Sequence, residues 1–364
     1  MPVNSICFIN SSRSWGGGEK WHYDHALFLA EKGYAVHVVT NVRSTLYKKL
    51  KEHAGIQLFP IKINNFSFIN PLRGVQLIRI LKKINPQTVI INLPADLKLM
   101  ATSSWFLQIN HIIYRRGSAI AVKNSALNRY IFRNIVTHII VNSLATKQTL
   151  LQNNKNLIAE KKIKLLYNGI DLKSYPKQAS ETKQKTSAEL IIGHLGRFSR
   201  EKNQQFLIDV ALELKQTQVP FHFILGGEGP DLERIKTLVE ESQLTKYFTF
   251  PGFIKDTHQF MKSIDLFVLP SLWEGFGYVT IEAMAHEKPV IAFNITSNRE
   301  IIENKVTGFL TEENDSHTFA EKIQYFYEHR DKVSEMGVKG RLRVARYFNS
   351  QDRFTEFETF IKNL

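Results

Sequence analysis

The feature that most constrains this chain is a rhythm that occurs twice: short apolar runs rich in β-branched residues alternate with stretches of helical periodicity. In the first half the runs fall at residues 6–10, 35–40, 57–63, 88–93, 111–115 and 138–142. In the second they fall at 190–195, 221–226, 248–251, 266–270 and 289–293, with helical patterns at 203–215, 231–242, 257–264, 279–286 and 298–303. Three further helical stretches close the chain, the last from about 351 to 362. Strands that read as continuous apolar runs belong to parallel sheets covered by helices on both faces. Residues 173–188 are polar and poor in apolar content, as an interdomain linker is. A chain of 364 residues also exceeds the roughly 250–300 at which a single core stops growing. Two α/β domains follow. Ligands of open α/β sheets lie beyond the carboxyl ends of the strands, where strand order reverses, and two such sheets facing each other make a cleft.

Charge is unevenly spread. Of 48 Lys and Arg and 34 Asp and Glu, residues 1–170 hold 23 and 6, leaving 25 and 28 for the remainder. The excess of the +14 net charge therefore sits in the first half, which should attract an anionic partner: an acidic membrane surface, a phosphorylated acceptor or nucleic acid. The last is disfavoured because no recognised nucleic-acid-binding pattern is present. A generic basic surface is the plain alternative. No run of about 18 uncharged apolar residues occurs, and residues 5–10 read as a strand, not as a signal sequence. The one cysteine, Cys7, excludes an intrachain disulfide and suits a reducing cytoplasm.

The sharpest motif is Glu274-Gly275-Phe276-Gly277-Tyr278-Val279-Thr280-Ile281-Glu282. It places one carboxylate in a glycine-rich loop and a second one turn into a helix. Glycines admit close backbone approach, and the free amides of a helix start receive phosphate oxygens. Two carboxylates beside an anion site make sense when both hold hydroxyls, such as those of a ribose and a hexose. Ordinary acidic residues in a first helical turn are the alternative. A second loop, after residues 190–195, carries Arg197 and Lys202, two fixed cations able to clamp a diphosphate and neutralise the charge that builds as it leaves. Solvated surface cations are the alternative for that pair.

Gly196-Arg197 with Lys202-Asn203, the Gly226-Gly227-Glu228-Gly229-Pro230 turn, Pro251-Gly252-Phe253 and the two spaced glutamates resemble the donor domain of the retaining glycosyltransferases of family 4. The Gly16-Gly17-Gly18-Glu19 loop and Asn168-Gly169-Ile170-Asp171 fit the same family, so the resemblance covers nearly the whole chain. It implies a GT-B fold, α/β with two Rossmann-like domains facing a cleft. An acceptor domain would span residues 1–172 and be joined by the last helix, about 347–364; a donor domain would span 173–346. The resemblance also implies that Glu282 holds the ribose and that Arg197 and Lys202 hold the diphosphate. Glu274, Gly275, Phe276, Gly277, Tyr278 and Gly227 would lie around the sugar and phosphates, with Phe253 and Ile254 flanking the base. Metal and other cofactors are not expected, the donor being a nucleotide-sugar co-substrate and a UDP-sugar the expected one.

The first domain departs from the family pattern. Many relatives have a histidine after the strand that points at the reacting centre, whereas this strand runs Ile112-Ile113-Tyr114-Arg115-Arg116-Gly117. Arginine cannot act as a base at neutral pH. In the front-face retaining mechanism that the family implies, the leaving diphosphate takes the acceptor proton, and Arg115 or Arg116 would stabilise that phosphate or bind an anionic acceptor. Asp96 would hold an acceptor hydroxyl or cap a helix, with Lys98 beside it. Gly17 and Gly18 would let the substrates approach a helix start, or simply form a tight turn. The stretch Lys62 to Arg73, with Phe66, Phe68 and Ile69, suits an interfacial contact or a surface loop.

Transfer to a hydroxyl of an anionic envelope glycan or glycolipid, such as a lipopolysaccharide core, at the inner face of the cytoplasmic membrane is the expected activity. A nucleotide-sugar epimerase or hydrolase on the same fold, or a non-catalytic anion-binding protein, remains open. A dinucleotide fingerprint fails, since Leu232 stands where the third glycine belongs, and GxxxxGK[ST], HExxH and D-x-D patterns are missing.

Overall fold

The computed structural model describes residues 5–175, 189–295 and 297–364. Most of the expected linker, 176–188, lies outside the described residues; Lys173 and Ser174 belong to a short 3-10 turn. The chain divides into two compact units, residues 1–168 with 352–364, and residues 169–351. These boundaries lie four and five residues from the expected 172 and 347, for a local reason. Asn168 is hydrogen-bonded to Arg115 in the first unit, while Ile170 pairs with Asn349 in the second.

In the first unit, β1 (Ser5–Asn10), α1 (Gly17–Glu31), β2 (Ala35–Thr40), α2 (Thr45–Leu50), β3 (Ile56–Pro60), α3 (Pro71–Ile84) and β4 (Thr88–Ile91) come first. They are followed by α4 (Pro94–Ser103), β5 (His111–Arg116), α5 (Ala126–Tyr130), β6 (His138–Val141), α6 (Leu144–Leu151) and β7 (Ile163–Leu165). The seven strands are parallel in the order β3-β2-β1-β4-β5-β6-β7, which reverses direction between β1 and β4. Helix starts are set by local chemistry. Asn70 accepts hydrogen bonds from the Leu72 and Arg73 amides ahead of α3, with Pro71 at its first position, and Ser143 does the same for Thr146 ahead of α6.

In the second unit, β8 (Leu190–Leu195), α7 (Phe206–Gln216), β9 (Phe221–Gly226), α8 (Leu232–Glu241), β10 (Phe248–Gly252), α9 (Thr257–Ser263) and β11 (Leu266–Leu269) repeat the pattern. Then come α10 (Tyr278–Ala285), β12 (Val290–Phe293), α11 (Asn298–Ile301), β13 (Gly308–Thr311), α12 (Ser316–Glu328), α13 (Arg330–Tyr347) and α14 (Ser350–Lys362). The six strands are parallel in the order β10-β9-β8-β11-β12-β13, reversing between β8 and β11. Most of α14 belongs to the first unit, where Phe357 and Ile361 pack with Trp21, Leu29 and Phe8.

Each sheet has one strand more than the apolar runs announce. β7 and β13 are edge strands of three and four residues. An edge strand needs neither length nor two apolar faces, and Lys164 in β7 is the kind of residue that blunts an edge. Among the described residues no helix is long and apolar enough to cross a membrane.

Candidate functional site

In the second unit, the loop after β8 and the loop after β9 are sewn together beside the point, between β8 and β11, where strand order reverses. The Gly196 amide donates to Gly226 O (3.1 Å), Phe198 to Glu228 O (3.0 Å) and Asp231 to Phe198 O (3.2 Å). Gly227 has φ +138°, and a Cβ there would collide with the Gly196 carbonyl oxygen. Glycine at 227 is thus demanded by the contact between two backbones, whatever ligand lies near. Phe198 is fully buried beneath this seam, so the residue before it, Arg197, points outward. The Arg197 guanidinium is exposed and makes no hydrogen bond or ion pair among the described residues.

Behind Arg197 lies a relay that the sequence did not single out. His194 is fully buried; its Nδ1 faces Val268 O (3.0 Å) and its Nε2 faces the side-chain amide of Gln204 (3.2 Å). A carbonyl accepts only from a donor, so Nδ1 carries the proton and Nε2 accepts from Gln204. Burial lowers the His194 pKa to about 4, with nearby Lys202 adding to the effect against the Val268 bond, so the ring is neutral at pH 7. Gln204 also donates to Arg197 O (2.9 Å), which ties the loop to the sheet. The signal was present in the order His194-x-x-Arg197, but nothing local assigns a positioning role to a buried histidine.

Lys202 and Glu274, from loops after β8 and β11, meet directly at 2.5 Å. Ser271 donates to the same Glu274 oxygen (2.8 Å), and the Leu272 amide donates to Glu201 O (2.9 Å), so the two loops are held side by side. Gly277, at φ +89°, turns the chain into α10, whose start has no side-chain cap. Ser297 donates to Phe276 O (2.8 Å) and braces that turn. Glu282 is half-buried in the second turn of α10, and its carbonyl accepts from His286 Nδ1 (2.8 Å). Gly275 and Tyr278 are likewise half-buried at the α10 start. The Phe276 ring is turned inward, buried against Phe348 and Tyr278. Gly252, at φ +73°, presents Phe253, which is 66% exposed, whereas Ile254 lies against Gly226 and supports the seam.

The first unit treats its polar residues differently. Asp96 is fully buried in the first turn of α4, and its carboxylate accepts from the Ser11 amide (2.9 Å) and the Ser11 hydroxyl (2.6 Å). It does not cap α4, whose N-cap position is Leu93. Both its oxygens are engaged by the loop that leads to α1, not turned to solvent. Burial raises its pKa to about 6, Ser11 pulls it back, and Glu19 adds to the rise. Gly17 opens α1 with no side-chain cap before it, and Gly18 lies against the Asn92 amide.

Arg115 and Arg116 do not form a pair, because neighbours on a strand face opposite sides of the sheet. Arg115 donates to Asn92 Oδ1 and Asn168 Oδ1 (3.2 Å each), with its guanidinium 5.4 Å from the Trp21 ring centre. Arg116 shares the other face with Tyr114 and donates to Ile120 O. Both side chains are buried, so each is built into the unit and not displayed on it. Lys98 sits with its ammonium over the Phe68 ring, 5.6 Å from the centre.

Both halves of the chain match known families. Residues 15–174 match the family described as Glycosyltransferase Family 4, and residues 176–343 the family described as Glycosyl transferases group 1. The N-acetyl-alpha-D-glucosaminyl L-malate synthase of Bacillus anthracis is 24% identical over 91% of this chain and 90% of its own. At 31% and 35% identity the match is shorter, spanning 42% and 35% of the length of two Bacillus subtilis relatives. Among solved structures, Anabaena HepE in complex with UDP and glucose superposes with a TM-score of 0.84 at 21% identity, covering 99% of this chain and 100% of that one. The lipopolysaccharide outer core galactosyltransferase WaaB, in its apo form, superposes with a TM-score of 0.74 at 17% identity, covering 99% and 100%. Likeness at such identities shows the GT-B fold.

Proposed function

The chain belongs to the glycosyltransferases, family 4 in its first domain and group 1 in its second, and from that premise we propose that it moves a sugar from a UDP-sugar to a hydroxyl of an anionic envelope glycan or glycolipid, with retention of configuration. The observation that carries the donor side is the Lys202–Glu274 pair, which joins the loops after β8 and β11 where strand order reverses, with Arg197 exposed on the same β8 loop. Arg197 and Lys202 take the diphosphate. Lys202 has three N–H donors, so it can keep Glu274 and still reach a phosphate oxygen. Glu274 is then aimed at sugar hydroxyls, Glu282 at the ribose, and Phe253 at the base with Ile254 supporting it from the seam, while Gly277 lets the backbone come close to the phosphates.

The bond between the anomeric carbon and the diphosphate oxygen breaks, and the bond to the acceptor oxygen forms on the same face. The acceptor proton passes to the departing phosphate oxygen. No base is required of the first domain, which suits a strand end carrying Arg115 instead of histidine. The charge on the leaving group is met by Arg197 and Lys202, and no metal is called for. The acceptor is held by the first domain near Gly17 and Gly18, and its anionic character follows from the +17 charge of residues 1–170. A lipopolysaccharide core at the inner face of the cytoplasmic membrane fits this charge.

Thermal unfolding with UDP, ADP and GDP, on the wild type and Lys202→Ala, tests the donor site. At about 100 times its dissociation constant UDP should stabilise the wild type by about 2.7 kcal/mol, and the variant should lose most of that gain. Removing such a donor costs about 2–4 kcal/mol in the barrier, so Lys202→Ala should also lower turnover by roughly a hundredfold or more. A variant that responds to UDP like the wild type would sink the assignment.

A further inference from the structure

The first unit carries a surface that its core does not explain. Phe66, Ile69, Leu72 and Val75 are 72%, 68%, 77% and 43% exposed. They recur every third residue through a 3-10 turn, Ser67–Ile69, and into α3. Along α3, residues 72, 75, 79 and 82 stand at i, i+3, i+7 and i+10, which is one face of a helix. Leu77 and Leu81, on the opposite face, are buried in the core. The outward face therefore begins apolar, with Leu72 and Val75, and ends basic, with Arg79 and Lys82 joined by the adjacent Lys83, all three exposed. Lys62 is also exposed ahead of the 3-10 turn. Between Glu52 and Asp96 the chain contains five Lys or Arg and no acidic residue.

Large apolar side chains grouped beside unopposed cations match one kind of surface, a bilayer interface of acidic lipids. Such helices lie in the interfacial plane with the apolar part among the upper acyl chains and the cations at the headgroups. A second copy of the chain fits less well, because a two-fold contact would set this cationic strip against itself. Basic residues in a last helical turn are accounted for by the helix dipole, but the dipole gives no reason to expose four large apolar side chains at the other end.

We infer that the Phe66–Val75 ridge and the Arg79, Lys82 and Lys83 cluster form one membrane-docking surface, specific for anionic headgroups, through which the enzyme meets its acceptor. The inference rests on the glycolipid reading above and gives it a location.

Vesicle flotation decides it. The full chain is mixed with phosphatidylcholine vesicles with and without phosphatidylglycerol, at low and high salt, alongside Phe66→Ser/Leu72→Ser and Arg79→Ala/Lys82→Ala/Lys83→Ala. The wild type should float only with the phosphatidylglycerol vesicles and less at high salt. At about fivefold per cation, the triple variant should bind roughly a hundredfold more weakly, and the double variant should be weakened at every salt concentration. The altered side chains are exposed, so melting temperatures should match the wild type. The inference is overturned if the wild type stays down with acidic vesicles, if the double variant floats like the wild type, or if the ridge instead supports a dimer in sedimentation that the double variant breaks. Measuring UDP stabilisation on the same samples separates the two readings. Flotation without a UDP response keeps the surface and fails the donor site, whereas a UDP response without flotation fails the surface alone.

Discussion

Two loops occupy the same place in their sheets and treat charge in opposite ways. Around the loop after β1 the charged groups of the neighbouring elements are drawn inward, although residues 13–16 of the loop itself are exposed: Asp96 takes both polar groups of Ser11, Asn10 donates to Glu19, and Arg115 is held by Asn92 and Asn168. The loop after β8 is held by backbone bonds and by the buried His194–Gln204 relay, which leaves Arg197 outward and lets Lys202 pair with the buried Glu274. The topological switch point supplies a position. Whether that position displays charge depends on what the neighbouring strand ends offer as partners. Backbone-to-backbone support frees side chains for a ligand, and side-chain support consumes them.

The sharpest way to break this comparison is to press the same methyl group against what supports each loop, from Gly227 in the neighbouring loop after β9 and from Gly18 in the first turn of α1. Gly227→Ala would drive a Cβ into the Gly196 carbonyl at a strained φ, and should cost at least about 3 kcal/mol in urea unfolding. Gly18→Ala meets a side chain, Asn92, that can shift, and should cost about 1–2 kcal/mol. Equal losses would mean that the two loops are supported in the same way.

The next test uses pH. The Asp96 pKa is raised in the folded state, so the fold holds that proton longer than the unfolded chain does. This contribution is present below pH 4 and is lost as pH rises through about 6, a span worth roughly 3 kcal/mol. Asp96→Asn should flatten that part of the stability profile while keeping partners for Ser11, whereas Asp96→Ala should cost about 1–3 kcal/mol by leaving them unpaired. A profile unchanged in Asp96→Asn would remove Asp96 from the account. The smallest expected effect lies in the second unit. Phe253→Ala should leave the melting temperature unchanged, because the ring is mostly exposed, yet weaken UDP binding about fivefold if the ring stacks on the base. Titration calorimetry showing unchanged affinity would detach Phe253 from the base.

Much of the second unit was legible from residue order. Strands β8 and β9 begin and end where their apolar runs do, the loops that carry Arg197, Lys202 and Glu274 follow strand ends as expected, and Glu282 lies in the helix after the last of them. Glycine-rich turns announce themselves because few other residues fit them. The first unit was less legible at its strand ends. Read as a string, Arg115-Arg116 is a doubled cation, and only strand alternation separates the two. Asp96 sits where a cap is plausible, and only the approach of Ser11 shows that it braces another loop. Phe276 lies inside a binding motif, yet its ring belongs to the core.

By itself the sequence determined the two parallel sheets, the unequal distribution of charge and the motifs at the carboxyl ends of the strands, because hydrophobic periodicity and glycine demand are local properties of a chain. Tertiary structure alone decided the fate of each charged group, since the partners are remote: Ser11 and Asp96 are 85 residues apart, Arg115 and Asn168 53, Lys202 and Glu274 72. A charge is buried and bound, or displayed to a ligand, according to which donors and acceptors the fold brings to it.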